Sequence, residues 1–329
     1  MIITSPNQLP EIKNSWYVFL AGPIQGAPEW QNSLPEIPGV TYLSPRRDDY
    51  SNFDWDEQVA WETRGLKIAD IILFWIPSPA EKIEGRDYAQ TTRTEFGEYL
   101  ALGKKIILGA YEGFPGRKYF ATKLAQYREE PIHASLEECV EEVKKFISDR
   151  KEMTWFTSDT HFGSSRALTL SCRPFKSVEE MDWTMIQKWN DRVKPGDKVY
   201  HLGDIGELWP LQYLNGDITL ILGNDERKLN DEAIHKLLTH PKLKVESSDR
   251  VDEFFLAHEP TTGLKMMKTE ECQEKWLLFG HIHGRQKIKK FGIDVGVDCN
   301  NFAPISIDEV RFYTNAIEKG YYDDDVWCQ

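Results

Sequence analysis

The sequence predicts an α/β protein of two domains, residues 1–150 and 151–329. Three observations carry this. The chain has 329 residues, and domains commonly run to about 100–200 residues. In the first half, apolar runs alternate with helical stretches, the pattern of parallel strands covered on both faces. In the second half the apolar runs begin again, and each ends in Asp, Asn or His.

The elements follow in order. WYVFLAG (16–22) is an apolar strand stopped by Gly-Pro, and VTYLSP (40–45) is a second. Residues 54–70 have helical spacing, with Val59, Leu66 and Ile68 among charged residues. DIILFWIP (70–77) is a buried strand stopped by Pro77. TRTEFGEYLALGKK (92–105) reads as a helix ending near Gly103, followed by the strand KIILGA (105–110). Residues 136–152 make a closing helix with Val140, Val143 and Phe146 on one side. The second half supplies strands at 153–159, 198–204, 218–224, 253–259 and 276–283. The tail EKGYYDDDVWCQ (318–329) reads as a surface segment, docked by Tyr321, Tyr322 and Trp327. No internal repeat or low-complexity segment interrupts this pattern.

Composition bounds the function. The formal net charge is −13 with a pI near 5.2. Duplex nucleic acid and anionic membranes are poor partners for such a chain, since both are bound through Lys and Arg. A nucleotide or nucleoside-type small molecule remains suitable if a local cation offsets the field. The five cysteines (139, 172, 272, 299 and 328) are scattered without a CxxC. They read as free thiols rather than a disulfide or zinc framework. The N-terminus lacks the pattern of a secretory signal, and no apolar run approaches the ~20 residues of a membrane span. A cytoplasmic protein is expected; assembly into a homo-oligomer is left open.

ILGNDERK (221–228) reads either as a strand-ending turn or as a corner of a metal site. Gly-Asn-Asp alone is ordinary turn chemistry. Taken together, however, the strand ends gather Asp159, His161, Asp204, Asn224, His258, His281 and His283. Carboxyl ends of α/β strands share one edge of a sheet. Nitrogen and oxygen ligands without thiolate suit Mn²⁺, Fe or Zn²⁺. His201 reads as structural or as support for a ligand.

The motifs SDTHFG, HLGDIG, LGN, AHEP and FGHIHG, within residues 153–312, resemble the calcineurin-like metallophosphoesterases. The resemblance implies a β-sandwich flanked by helices and two divalent transition metals, Mn²⁺ first, with Fe, Zn or Ni as alternatives. Asp159, His161 and His283 would hold one; Asn224, His258 and His281 the other; Asp204 would bridge. Two such cations neutralise a phosphate ester and acidify a water that attacks phosphorus. Many members of that family carry a His after Gly-Asn, assigned to the leaving oxygen. Here Asp225 stands there. An ionised Asp donates no hydrogen bond, so it is protonated, or turned away, or the leaving group needs no help. Arg166, Arg173 and Arg285 are candidate phosphate contacts or solvated surface.

In the first half, FLAGPIQGAPEWQ places Gly22, Pro23 and Gly26 in a tight loop that admits a ligand close to the backbone. With SPRR, VAWE, ADIILFW and TEFGEYLALGK, this segment resembles the nucleoside 2-deoxyribosyltransferase-like family over residues 16–125. The resemblance implies a flavodoxin-like fold, Glu95 as the nucleophile and Glu62 as an acidic partner. Cleavage of a glycosidic C–N bond develops a sugar cation that a carboxylate stabilises or traps. Glu62 or Asp87 would protonate the leaving base. Alternatively, Glu95 is an acid favoured by a helix N-terminus. Arg46 and Arg47 either grip a phosphate or form an exposed pair matched by Asp48 and Asp49. Tyr17, Trp30 and Trp75 either stack on a base or fill the core.

The expectation is a bifunctional nucleotide-processing enzyme, phage or bacterial in type. The first domain would break or exchange an N-glycosidic bond and the second hydrolyse a phosphate ester. Two rivals stand beside it. In one, the first domain only binds nucleotide for the phosphoesterase. In the other, the protein binds a nucleotide signal without turnover.

Overall fold

The computed structural model describes residues 1–10, 14–85, 87–269 and 273–321. It divides into two compact units, with the change near Lys151 and Glu152. Cys272, Cys328, Tyr322 and Trp327 lie outside the described residues. Tyr321 is exposed, and Cys139, Cys172 and Cys299 are free thiols. Among the described residues no helix is long and apolar enough to cross a membrane.

The first unit holds β1 (Ile2–Thr4), β2 (Trp16–Ala21), β3 (Val40–Ser44), β4 (Ile71–Ile76), β5 (Lys105–Ala110) and β6 (Ile132–His133). Its helices are α1 (Trp55–Ile68), α2 (Gln90–Ala101), α3 (Arg117–Ala125) and α4 (Leu136–Asp149). The strands pair in parallel in the order β1-β3-β2-β4-β5-β6. This is the doubly covered sheet that the apolar runs imply, in a flavodoxin-like order with β1 added outside β3. Side chains alternate between faces. Phe19, Leu43, Phe74 and Leu108 meet Trp61, Phe96 and Phe120 of α1, α2 and α3. Val18, Tyr42, Leu73 and Ile107 meet Cys139 and Val143 of α4. A Cβ on Gly109 would lie 2.4 Å from the Cys139 sulfur, so α4 packs on β5 at a distance only Gly allows.

Helix starts follow from capping. Asp54 accepts from the Glu57 amide and Ser135 from the Glu138 amide. Two expectations change. Val59 is 53% exposed; the buried stripe of α1 runs through Gln58, Trp61, Gly65 and Leu66. Two residues before Trp61, Val59 falls on a different face of the helix. Helix α2 begins at Gln90 rather than 92, so Glu95 lies in its second turn and not at its start. The sheet order reverses at β2, between β3 and β4, and a crevice opens where their carboxyl ends diverge.

The second unit holds β7 (Thr154–Thr157), β8 (Lys198–His201), β9 (Asp217–Ile221), β10 (Leu243–Glu246) and β11 (Asp249–Val251). It continues with β12 (Phe254–Leu256), β13 (Trp276–Phe279), β14 (Ile288–Lys289), β15 (Gly292–Asp294) and β16 (Ile305–Ser306). Its helices are α5 (Ser165–Leu170), α6 (Val178–Arg192), α7 (Asp231–Leu238), α8 (Pro260–Met267) and α9 (Ile307–Glu318). The strands form two five-stranded sheets, β10-β9-β8-β7-β16 and β11-β12-β13-β15-β14. Phe156 and Ile221 of the first sheet pack on Phe254, Leu256, Leu278 and Ile293 of the second. Outside them, Trp155, Val199 and Leu220 meet Met185 and Trp189 of α6. Phe255 and Leu277 meet Leu264 and Met267 of α8. The layers run helices, sheet, sheet, helix.

The predicted strands of this unit overrun the observed ones at their carboxyl ends. β7 stops at Thr157, β8 at His201, β9 at Ile221, β12 at Leu256 and β13 at Phe279. The polar residues beyond them turn out of the ladder. Asp159, His161, Asp204, His281 and His283 all have left-handed φ, between +48° and +71°. Such conformations cost non-glycine residues roughly 1–3 kcal/mol each.

Candidate active sites

In the first unit, a cavity of about 630 Å³ opens at the carboxyl ends of β2, β3 and β4. Gly22 and Pro23 form one wall, Asp87 and Tyr88 another, and Glu62 of α1 and Glu95 of α2 face it together. A Cβ on Gly22 would sit 2.2 Å from the Trp75 carbonyl oxygen, so only Gly lets this loop lie so close to β4. Burial, with the nearby Glu62 and Glu98 carboxylates, pushes Glu95 up to about 8. Burial also raises Glu62, against a hydrogen bond from Gln58 and the charge of Arg47 that lower it. The Gln58 amide donates to Glu62 Oε1 at 2.8 Å.

Several candidates lie elsewhere. Gly26 does not line the cavity; its carbonyl accepts from the Ala80 amide at 2.8 Å. Neither arginine of the pair lines it. Arg46 donates to Gln31 Oε1 at 3.0 Å and to the carbonyls of Ile24 and Pro28. Arg47 is buried, bonding Gln58 Oε1 at 2.7 Å and Glu57 at 2.6 Å, with Phe53 beneath its guanidinium. Asp48 and Asp49 are not among these partners; Asp49 instead accepts from the amide and hydroxyl of Ser51. Tyr17, Trp30 and Trp75 fill the core. Besides Phe19 and Tyr88, the aromatic lining of the cavity is Tyr50, Phe53 and Trp55, with Phe53 and Trp55 edge to face at 4.9 Å. Their signal was the aromatic density of YSNFDW in a loop. Gln58, four residues before Glu62, was not singled out either; its signal was the one-turn spacing to that acid.

In the second unit the strand ends bring all seven polar candidates together. Ligand atoms of Asp159, His161 and His283 lie within 4.8 Å of one another, as do those of Asp204, His258 and His281. Asp204 Oδ2 is 3.4 Å from His258 Nε2 and 3.8 Å from His161 Nε2, between the two groups. Asn224 Oδ1 lies 3.0 Å from His258 Nε2 and 2.8 Å from His281 Nδ1. Asp159 Oδ1 and His161 Nε2 are buried without a hydrogen-bond partner. Leaving such atoms unpaired is costly, and a cation is the partner that fits both. A Cβ on Gly280 would fall 2.0 Å from Ser158 Oγ and 2.3 Å from Asp159 Oδ2, so β13 and β7 can end this close only with Gly there.

The imidazoles are oriented from behind. His258 Nδ1 meets the Leu202 carbonyl at 2.7 Å, which turns Nε2 to the site. His283 Nδ1 meets Asp298 Oδ2 at 3.0 Å and Ser171 Oγ at 2.9 Å. Asp298 in turn pairs with Arg173, which is buried and also donates to the carbonyls of Asp159 and Thr160. Arg173 is thus a clamp, not a free phosphate contact, while Arg166 and Arg285 are exposed. His201 is fully buried, bonded to Thr160 Oγ1 at 2.9 Å, and burial lowers it to about 3. Burial raises Asp204, but the His258 hydrogen bond, the Asp225 amide and the charges of His258 and His161 bring it down to about 2. It is therefore an anion ready for cations.

Two carboxylates escaped the sequence reading. Glu226 accepts from the amides of Asp204, Ile205 and Gly223, each at 2.8 Å, and ties the loop after β8 to the loop after β9. Asp298 sits in GIDVGVD, where an acid within an otherwise apolar run was the available signal. Asp225 is exposed. Its amide donates to Asp204 Oδ1 at 2.9 Å, and its carboxylate lies 3.6 Å from His161 Nδ1 and 3.4 Å from Lys228 Nζ. It faces the site rather than turning away.

The comparisons with known proteins bear on the first unit and on the chain's kinship. The family described as nucleoside 2-deoxyribosyltransferase like matches residues 15–114. The chain is 30% identical over 183 residues to the uncharacterized protein MJ1445 of Methanocaldococcus jannaschii, spanning 50% of this chain and 92% of that protein. It is 29% identical over 202 residues to the Gene 66 protein of Mycobacterium phage L5, spanning 50% of this chain and 96% of that one. A solved structure, the Aquifex aeolicus protein of unknown function AQ665, aligns with TM-score 0.40 and 21% identity over 49% of this chain and 99% of its own. The chain therefore belongs to one family with MJ1445, and its residues 15–114 are a nucleoside 2-deoxyribosyltransferase-like domain.

Proposed function

We propose that the protein is a bifunctional nucleotide-processing enzyme. Its first domain cleaves or transfers at an N-glycosidic bond, and its second hydrolyses a phosphate ester at a pair of divalent cations. The observation that carries the second half is the gathering of seven nitrogen and oxygen ligands at strand ends, with buried Asp159 Oδ1 and His161 Nε2 left unpaired. The first half rests on Glu95 and Glu62 facing one cavity inside the matched domain.

In the first site, which Glu95 lines, a Glu95 carboxylate oxygen would bond the sugar C1′. The C1′–N electron pair leaves with the base, and the base nitrogen takes a proton from Glu62 or Asp87. Water or a second base then attacks C1′ and frees Glu95. Tyr50, Phe53 and Trp55 offer the base a stacking surface. In the second site, Asp159, His161 and His283 would hold one cation, Asn224, His258 and His281 the other, with Asp204 between. Bound there, two cations supply charge neutralisation of the phosphoryl group and acidify water. The chain's own residues orient these ligands: Asp298 and the Leu202 carbonyl fix two imidazoles, and Glu226 sets the Asp204 loop. Asp225 adds negative charge at the mouth, which disfavours a phosphomonoester dianion more than a diester monoanion.

The test is a screen of nucleosides, nucleotides, cyclic nucleotides and diesters with Mn²⁺, following base and phosphate release separately. Both products should appear. Glu95→Ala should abolish base release alone and Asp204→Asn phosphate release alone. Absence of base release from every substrate would leave the first domain as a binding module. Recovery of intact ligand would leave both as binding modules.

A further inference from the structure

A hydrogen-bonded chain runs through the first unit from the cavity's aromatic rim to its carboxylates. Arg47 is its buried end, with Phe53 under the guanidinium and Glu57 on its terminal nitrogen. Arg47 Nε donates to Gln58 Oε1 at 2.7 Å, and Ser5 Oγ donates to the same oxygen at 2.8 Å. With its oxygen doubly engaged, the Gln58 amide can present only its NH₂ group. Gln58 Nε2 donates to the Pro45 carbonyl and to Glu62 Oε1, both at 2.8 Å. All four hydrogen-bonding positions of the buried amide are filled, so it cannot flip without losing several bonds at once. Glu62 Oε1 is therefore held as an acceptor.

We propose that Gln58, anchored by Arg47, is a positioning residue that makes Glu62 the charged member of the carboxylate pair and leaves the pair's single proton on Glu95 in the resting site. Two carboxylates in one cavity do not both ionise readily, and the one with a fixed donor takes the charge. The raised titration of Glu95, to about 8, agrees with this allocation. The other charged groups acting on the pair are Arg47, whose charge lowers Glu62, then Glu81, Lys82 and Asp87 from the β4–α2 connection and Glu98 on α2 itself. Among the described residues Lys82 is the one cation lining the cavity, with Glu62, Glu81 and Asp87 as carboxylates besides Glu95.

This deepens the glycosidic reading and rests on it for its chemistry. The proton passes from Glu95 to Glu62 as substrate fills the cavity. The freed Glu95 oxygen bonds C1′ while the C1′–N pair goes to the base. The base nitrogen takes the proton from Glu62, which ends as the anion it began as. One proton thus serves both the nucleophile and the leaving group.

The experiment is a ¹³C NMR titration of the whole protein labelled at the Glu side-chain carboxyl. Glu62→Gln and Glu95→Gln identify the two resonances. In the wild type, Glu62 should ionise first, with Glu95 holding its proton to near pH 8. In Gln58→Met, Glu62 should keep its proton to higher pH, and base release should fall about 10–100-fold in kcat with little change in KM. Its acid limb should move toward neutrality. Because Gln58→Met removes buried bonds, Arg47→Lys, which keeps the charge near Glu62 but weakens the hold on Gln58, should show the same shifts in smaller measure. The proposal is overturned if Glu95 ionises before Glu62, or if both variants leave the Glu62 titration where it was. If no substrate releases base, the glycosidic reading fails while the titration still decides where the proton sits.

Discussion

Glu95 carries the first pH-dependent expectation. Its carboxyl is raised to about 8 by burial, Glu62 and Glu98, so the pair keeps a proton below that pH and loses it above. Base release should accordingly fall above about pH 8, read from a kcat profile, as the leaving base loses its donor. The same shift bears on stability. A carboxyl whose folded value lies above its unfolded 4.5 costs stability progressively as pH rises through that window. Glu95→Gln should match the wild type near pH 4 and exceed it at pH 9 by on the order of 1–3 kcal/mol, less than the shift alone would give because the cavity admits water. Equal melting curves at both pH values would show that Glu95 is not strained. At the second site, Asp225 stands beside His161, with its carboxylate 3.6 Å from Nδ1. Asp225→His should raise phosphomonoester hydrolysis about 10–100-fold, and an unchanged rate would mean the natural leaving group needs no donor there.

Among the elements, the strand ends decide the chemistry. The periodicity of 153–159 or 276–283 marks a strand, but not where the ladder stops. Beyond the ladder Asp159, His161, Asp204, His281 and His283 take left-handed backbone, and among the described residues only isolated bridges at Ser158 and Phe162 continue the pairing after β7. That strain is borne by the turns which aim the ligands inward. Gly280 shows how tightly two strand ends meet. Gly280→Ala should push Asp159 aside and remove about one of two bound Mn²⁺ ions, measured by metal analysis of the folded variant. Full occupancy would show that the loops can yield. Helix α1 was legible in its span but not in its phase. Its start follows from the Asp54 cap, yet Val59 and Gln58 serve the cavity and its hydrogen bonds rather than a simple apolar stripe.

Taken as a whole molecule, the chain should respond to metal through its second unit. A cation that binds the folded protein alone stabilises it by about 2.7 kcal/mol at one hundred times its dissociation constant. Mn²⁺ should therefore raise the melting temperature of the wild type and leave Asp204→Asn nearly unmoved. An equal rise in both proteins would place the bound metal elsewhere.

The sequence by itself determined the parallel sheet of the first unit, because strands buried on both faces leave continuous apolar runs such as IILFW in β4 and IIL in β5. It also determined the set of polar residues at the second unit's strand ends, since each apolar run stops at one; that the ends of β7, β8 and β9 in one sheet meet those of β12 and β13 in the other was decided by packing. Tertiary structure alone decided which neighbours complete the sites. Arg46 and Arg47 look like a phosphate grip in the chain, but their hydrogen bonds go to Gln31, Gln58 and Glu57, and neither lines the cavity. Asp298, 125 residues from Arg173, becomes the support of His283. Local patterns record how each segment meets water and core. Pairings across such separations depend on how segments pack against one another, and no spacing along the chain records that.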